Sequence, residues 1–175
     1  SAGTLVVTGS VAGLQPMPLM AGYSAAKHGL RGLVNSLRLE LQAVGSQVRV
    51  ALVHPGPVDT PFWRNVTPAG PMPPDLPFAY RAEDVARALV DAVAAPRPER
   101  TVGLAMRALG VVRTVARPLS DLGLVAAAGW ALRRAADTPP GRALWEAAGE
   151  GDVDGPIDAH IGGWPQRLLA ALRDD

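Results

Sequence analysis

Three side chains stand at spacings that could move a proton. Ser10 closes an apolar run, and Tyr23 and Lys27 bracket the stretch Tyr23-Ser24-Ala25-Ala26-Lys27. Residues four apart on a helix share a face, so the Lys27 ammonium can approach the Tyr23 phenol. An isolated phenol titrates near about pH 10 and is a poor acid or base at neutral pH. A neighbouring cation favours the phenolate and brings such a group toward the working range. Ser10, delivered from a strand end, can hydrogen-bond a carbonyl or hydroxyl oxygen. The three together make an oxygen-directed proton-transfer site, suited to interconverting a ketone and an alcohol.

The stretch around Ser10 also admits a second reading. Leu5 to Gln15 runs LVVTGSVAGLQ, and Thr8-Gly9 with Gly13 looks like the opening of a phosphate-binding loop. Such a loop needs glycines against the pyrophosphate and a helix that starts at once. Gln15 stands where a third glycine should fall, and Pro16 and Pro18 block an immediate helix. The phosphate-loop reading fails on its own mechanics.

The elements that must position these residues follow from patterning. Thr4–Thr8 reads as a strand whose continuous apolar run suits burial on both faces. Gln15–Met20 reads as a loop, and Gly22–Val44 as a long helix with Leu30, Leu33, Leu37 and Leu41 on one stripe. Gly45 stands at the capping position. Val48–Val53 reads as a second strand, stopped by His54-Pro55-Gly56-Pro57. Strand, helix and strand in that order imply a right-handed crossover in a parallel sheet. Residues 56–80 hold seven of the 17 prolines with Phe62, Trp63 and Phe78, a composition that suits a lid or binding loop. A helix is expected over Arg81–Ala95, a short strand over Arg100–Ala105, and helices near 106–117, 120–136, 142–148 and 164–173. There is no internal repeat.

The motifs TGSVAG with Ser10, YSAAK with Tyr23 and Lys27, and HPGPVDTPF from His54 to Phe62 occur together in order and register. In these the chain resembles the classical short-chain dehydrogenases/reductases over roughly residues 3 to 105. The resemblance implies an α/β fold, the C-terminal portion of a Rossmann-like doubly wound parallel sheet with extra C-terminal helices. Residues 1–105 would be the catalytic-residue half, and 106–175 a helical extension packing on it. It implies an oxidoreductase using NAD or NADP, with Tyr23 as acid in reduction and base in oxidation. Lys27 would tune Tyr23 and bind the nicotinamide ribose, and Ser10 would position the substrate oxygen. Pro55, Gly56, Val58 and Thr60 would line the nicotinamide. Gln15, Phe62 and Trp63 would face a small-molecule carbonyl or alcohol substrate. The helix 22–44 would build a homo-oligomer interface.

The family's cofactor-phosphate half is missing from this sequence. No T-G-x-x-x-G-x-G opens a first strand, and no N-A-G-like stretch appears. By family order the chain would begin just before the fifth strand of a seven-stranded sheet. A truncated chain is the expectation, with an open, apolar strand edge. Alone it should be inactive, should aggregate or dimerise, and should bind a dinucleotide weakly. The alternative is a non-enzymatic remnant acting as a structural or dimerisation module.

Composition bounds the rest. The 175 residues are 48% hydrophobic and 19% charged, with a net charge of +1 carried almost wholly by arginine on the basic side. That balance argues for a globular domain and against a nucleic-acid surface. The absence of cysteine excludes disulfides and fits a cytoplasmic setting. The Ala, Arg, Gly and Pro content suits a GC-rich bacterial genome. His28, His54 and His160 show no ligand spacing with carboxylates, and Asp152, Asp154 and Asp158 lack the closing Glu of a calcium loop, so no metal site is expected. Trp130, Trp145 and Trp164 read as packing residues. Arg107, Arg113, Arg117, Arg133 and Arg134 read as a solvated face rather than a membrane contact.

Overall fold

The structure is a computed structural model and describes residues 2–61 and 79–135. The expected helices near 142–148 and 164–173, and Phe62, Trp63, Phe78, Trp145 and Trp164, lie outside the described residues. The chain divides into two compact units, one of residues 1–56 with 83–120 and one of 57–82 with 121–175.

In the first unit, three parallel strands form a sheet in the order β1 (Gly3–Thr8), β2 (Val48–His54), β3 (Glu99–Thr101). Gly3 pairs with Val48 and Thr8 with Val53, while Leu52 pairs with Glu99 and His54 with Thr101. Between β1 and β2 come a 3-10 turn (Val11–Gly13) and the helix α1 (Ala21–Ala43). Between β2 and β3 lies α2 (Ala82–Ala94), and α3 (Leu104–Val115) and α4 (Arg117–Ala135) follow β3.

Alternation along a strand sends successive side chains to opposite faces. Val50 and Leu52 of β2 meet Val34 of α1, with Val7, Leu30 and Leu41 packed around them. Ala51 and Val53 fill the opposite face, with at most 1% of their surface exposed. On that side of β1 the Thr4 hydroxyl donates to the Val93 carbonyl of α2 (3.4 Å). Helices therefore cover both faces, as in a doubly wound sheet. β2 is buried because it is central. β1 is the edge strand of the described sheet, as expected, but it is not buried on both faces as its apolar run suggested: Leu5 is 44% exposed.

The apolar stripe of α1 is rotated from the expected one. Val34 is buried, whereas Leu33 is 66% exposed. The seam runs through Leu30, Val34 and Leu41, and Leu33 falls one residue, or about 100°, off it. α1 ends as expected at Gly45, whose φ of +66° suits glycine. There the Ser46 N–H reaches the Leu41 carbonyl (2.9 Å) and the Gly45 N–H the Gln42 carbonyl (3.1 Å), a Schellman ending. β3 is shorter than expected and starts a residue earlier, because Gly103, at φ +87°, turns the chain into α3 at Leu104.

Urea unfolding distinguishes the two stripes. Val34→Ala should cost about 2 kcal/mol, since it empties core volume, and Leu33→Ala less than about 0.5 kcal/mol. Equal costs would contradict the seam described above.

Candidate active site

Ser10 sits just past the end of β1, where the ladder to β2 continues. The Gly9 N–H donates to the Val53 carbonyl (2.7 Å) and the Val11 N–H to the Pro55 carbonyl (2.9 Å). Ser10 between them is extended, at φ −170° and ψ 157°, and caps the 3-10 turn by accepting from the Ala12 N–H at Oγ (3.1 Å). It is buried, and among the described residues its O–H proton has no acceptor. Pro55 and Gly56 follow β2 directly, so these residues share the C-terminal end of two parallel strands. That end is where open α/β sheets bind ligands.

The two glycines of TGSVAG serve protein contacts. A Cβ on Gly13 would lie 2.7 Å from the Lys27 carbonyl oxygen, and one on Gly9 would lie 2.7 Å from His54 Nδ1. Gly13 lets the turn press onto the α1 backbone at Lys27, and Gly9 lets the strand end close over His54. Both cradles are filled by the chain itself, which agrees with rejecting a phosphate loop here.

α1 brings Tyr23 and Lys27 to the same end. Lys27 Nζ lies 5.6 Å from the Tyr23 ring centroid and donates to the Thr8 carbonyl (3.3 Å). Lys27 is the only lysine of the chain. An ammonium has three donor hydrogens, and the other two have no acceptor among the described residues. The helix start is fixed by Ser24, which sequence reasoning passed over: its buried hydroxyl accepts from the Met17 N–H (2.9 Å). Met20 N–H to Met17 O (3.2 Å) closes the same loop. Leu19 between them has φ +66°, a conformation costing a non-glycine residue roughly 1–2 kcal/mol. Gln15, expected near substrate, is buried at the end of the 3-10 turn, where its N–H reaches the Val11 carbonyl (3.1 Å).

Val58 and Thr60 belong to the second unit. Val58 bridges to Tyr80, the Asp59 N–H donates to the Tyr80 carbonyl (2.9 Å), and the Tyr80 N–H to the Pro57 carbonyl (2.8 Å). Thr60 Oγ1 lies 3.5 Å from the Val58 carbonyl. Phe62 and Trp63 lie outside the described residues.

A polar network under the strand ends was not legible from linear spacing. His54 is fully buried, with Nδ1 3.0 Å from the Ser10 carbonyl and Nε2 3.3 Å from Glu99 Oε2. The second approach is short enough for an ion pair but is not aligned as a hydrogen bond, so Nε2 is left without a hydrogen-bond partner. Glu99 is held by Arg31 Nε (2.9 Å to Oε1) and Asn35 Nδ2 (2.7 Å), both from α1. Burial pushes His54 below its ordinary 6.5, outweighing the Ser10 carbonyl and the Glu99 charge, which pull upward. For Glu99, burial pulls up, but the Arg31 and Asn35 hydrogen bonds prevail and hold it below 4.5. His28 is exposed, with Nδ1 2.9 Å from the Ser24 carbonyl. Among the described residues no cluster of His, Cys, Asp and Glu could hold a metal ion, and no helix is long and apolar enough to cross a membrane.

A parallel sheet covered on both faces, with serine at a strand end and tyrosine and lysine one helical turn apart beside it, defines a class. Residues 1–70 match the family model described as short chain dehydrogenase, and over those residues the chain is similar to the short-chain dehydrogenases/reductases. It is similar to (-)-trans-carveol dehydrogenase of Rhodococcus erythropolis, 35% identical over 132 residues, covering 75% of this chain and 47% of that protein. An uncharacterized oxidoreductase of Bacillus subtilis (strain 168) is 30% identical over 124 residues, covering 68% and 34%. The chain spans less than half the length of these relatives. Its fold resembles a short chain dehydrogenase/reductase from Burkholderia phymatum in complex with NAD, at 27% identity and TM-score 0.54 over 68% of this chain and 49% of that one. A short chain dehydrogenase from Burkholderia cenocepacia J2315 in complex with NADP shares the fold at TM-score 0.58 and 24% identity, over 70% and 47%.

The network sets a pH dependence. His54 and Glu99 both titrate lower in the folded chain, so the unfolded chain binds the more protons as pH falls, and stability falls with it. The His54 contribution is complete above its ordinary 6.5 and is lost as pH drops through its folded value; that of Glu99 is lost below 4.5 in the same sense. Urea midpoints taken from about pH 8 down to about pH 4 should decline in these two stages. Stability that rises on acidification would contradict the assignment.

Proposed function

We propose that the chain is the acid–base part of an NAD(P)-dependent oxidoreductase that interconverts a carbonyl and a secondary alcohol. The observation that carries this is Lys27, held by the Thr8 carbonyl and set 5.6 Å over the Tyr23 ring beside the strand end that bears Ser10. Tyr23 protonates the substrate oxygen in reduction and takes its proton in oxidation. Lys27 supplies the positive charge beside it, and the Ser10 hydroxyl binds the same oxygen.

The donor set fits the nicotinamide end of a dinucleotide. The two ammonium hydrogens of Lys27 without an acceptor among the described residues suit ribose hydroxyls, and Pro55 and Gly56 would line the ring. NAD(P), when bound, supplies the hydride. Among the described residues the pyrophosphate has no glycine-rich cradle, since the approaches at Gly9 and Gly13 are filled, so these residues by themselves would bind a dinucleotide weakly. The substrate class is apolar ketones and secondary alcohols, the class to which the carveol of the Rhodococcus relative belongs. The exposed Leu33 and Leu39 of α1 fit a homo-oligomer formed through that helix.

A second reading, a non-enzymatic dimerisation module, is favoured by the exposed Leu33 and Leu39 of α1. Reading the coding DNA in frame upstream of residue 1 and expressing the encoded protein separates the two. The enzyme reading predicts reduction of cyclic ketones with NADH or NADPH, and a loss of about 10²-fold or more in kcat for Tyr23→Phe. Turnover indifferent to Tyr23→Phe, or a start codon directly before residue 1 with no turnover, would defeat it.

A further inference from the structure

We propose that His54 is a positioning residue for Ser10: its Nδ1–H holds the Ser10 carbonyl and so fixes where the serine hydroxyl stands. This rests on the reading of Ser10 as the group that binds the substrate oxygen.

A carbonyl oxygen only accepts hydrogen bonds. The aligned 3.0 Å approach of His54 Nδ1 to the Ser10 carbonyl therefore places a proton on Nδ1. The ring has no room to leave. It is fully buried, and Gly9 covers Nδ1 so closely that even a Cβ would come within 2.7 Å. On the other side Nε2 faces Glu99 at 3.3 Å without hydrogen-bond alignment, and Glu99 is fixed to α1 by Arg31 and Asn35.

The same carbonyl also accepts from the Gly13 N–H (2.9 Å), while the Ser10 hydroxyl accepts from the Ala12 N–H (3.1 Å). A shift of the Ser10 peptide would disturb both bonds. It would also move the turn that Gly13 presses onto Lys27. His54 is thereby linked to both sides of the site, the serine directly and the lysine through the turn.

The test needs no substrate. Long-range ¹H–¹⁵N correlation on the full chain at neutral pH should show the proton on Nδ1 of His54. In His54→Asn the amide nitrogen stands as many bonds from the backbone as Nδ1 does, so Ala12 and Gly13 amide exchange should stay near wild type. In His54→Gln, whose amide nitrogen lies one bond farther, and in His54→Leu, exchange at both amides should quicken by about tenfold, the scale of one hydrogen bond. A neutral ring protonated at Nε2 overturns the proposal, and this measurement on wild type stands even if a variant fails to fold. Unchanged exchange in His54→Leu also overturns it. Turnover of Ser10→Ala in the protein encoded in frame with the upstream DNA judges the reading of Ser10 separately: if that variant keeps full activity the catalytic reading falls, while the tautomer and exchange still decide what His54 does.

Discussion

The site depends on how closely the turn after β1 can approach α1. Gly13 removes the side chain that would otherwise strike the Lys27 carbonyl, and that close approach sets Ser10 beside the helix turn bearing Tyr23 and Lys27. Lys27 then reaches back to the Thr8 carbonyl, so the same residue is packed through its backbone and hydrogen-bonded through its ammonium. A larger residue at position 13 would have to push the turn away from the helix, and close-packed interiors resist such shifts at a cost of typically about 1–3 kcal/mol. Strand end, turn and helix are therefore one mechanical unit.

Much of this was legible in the sequence because it depends on short spacings. A four-residue interval on a helix puts Tyr23 and Lys27 on one face, and Pro16 and Pro18 rule out a helix straight after Gly13. The glycine at 45 marked the end of α1. Long-range relations were not legible. His54 and Glu99 are 45 positions apart, and only the parallel pairing of β2 with β3, with α1 over one face, brings them together. The α1 stripe was misjudged by one position because leucines at 30, 33, 37 and 41 satisfy helical spacing equally well. Burial of Val34 is decided by Val50 and Leu52 across the interface, which no local pattern records. The edge position of β1 was expected, but its apolar run also suggested cover on both faces, and composition does not say how far the helices reach over it.

The division of labour among the glycines and the charges bears on function. Glycines that might have cradled phosphate are used for contacts within the chain, and the chain's only lysine stands beside its candidate acid–base tyrosine. Chemistry on a substrate oxygen and recognition of a dinucleotide's phosphates are thus separable in this fold. On the proposed reading the described residues would carry the first of these, and the similarity to oxidoreductases concerns the part of those proteins that this chain spans.

The most direct test of the central claim, that these residues form the nicotinamide end of a redox site, is a titration of the chain with nicotinamide mononucleotide followed by amide chemical shifts. This probe carries the nicotinamide, ribose and a single phosphate, so it does not require a pyrophosphate cradle. The account predicts saturable shifts concentrated at Gly9–Gln15, Tyr23–Lys27 and Pro55–Gly56, weakened by Lys27→Met. Shifts scattered over other surfaces, or saturable binding indifferent to Lys27→Met, would contradict it.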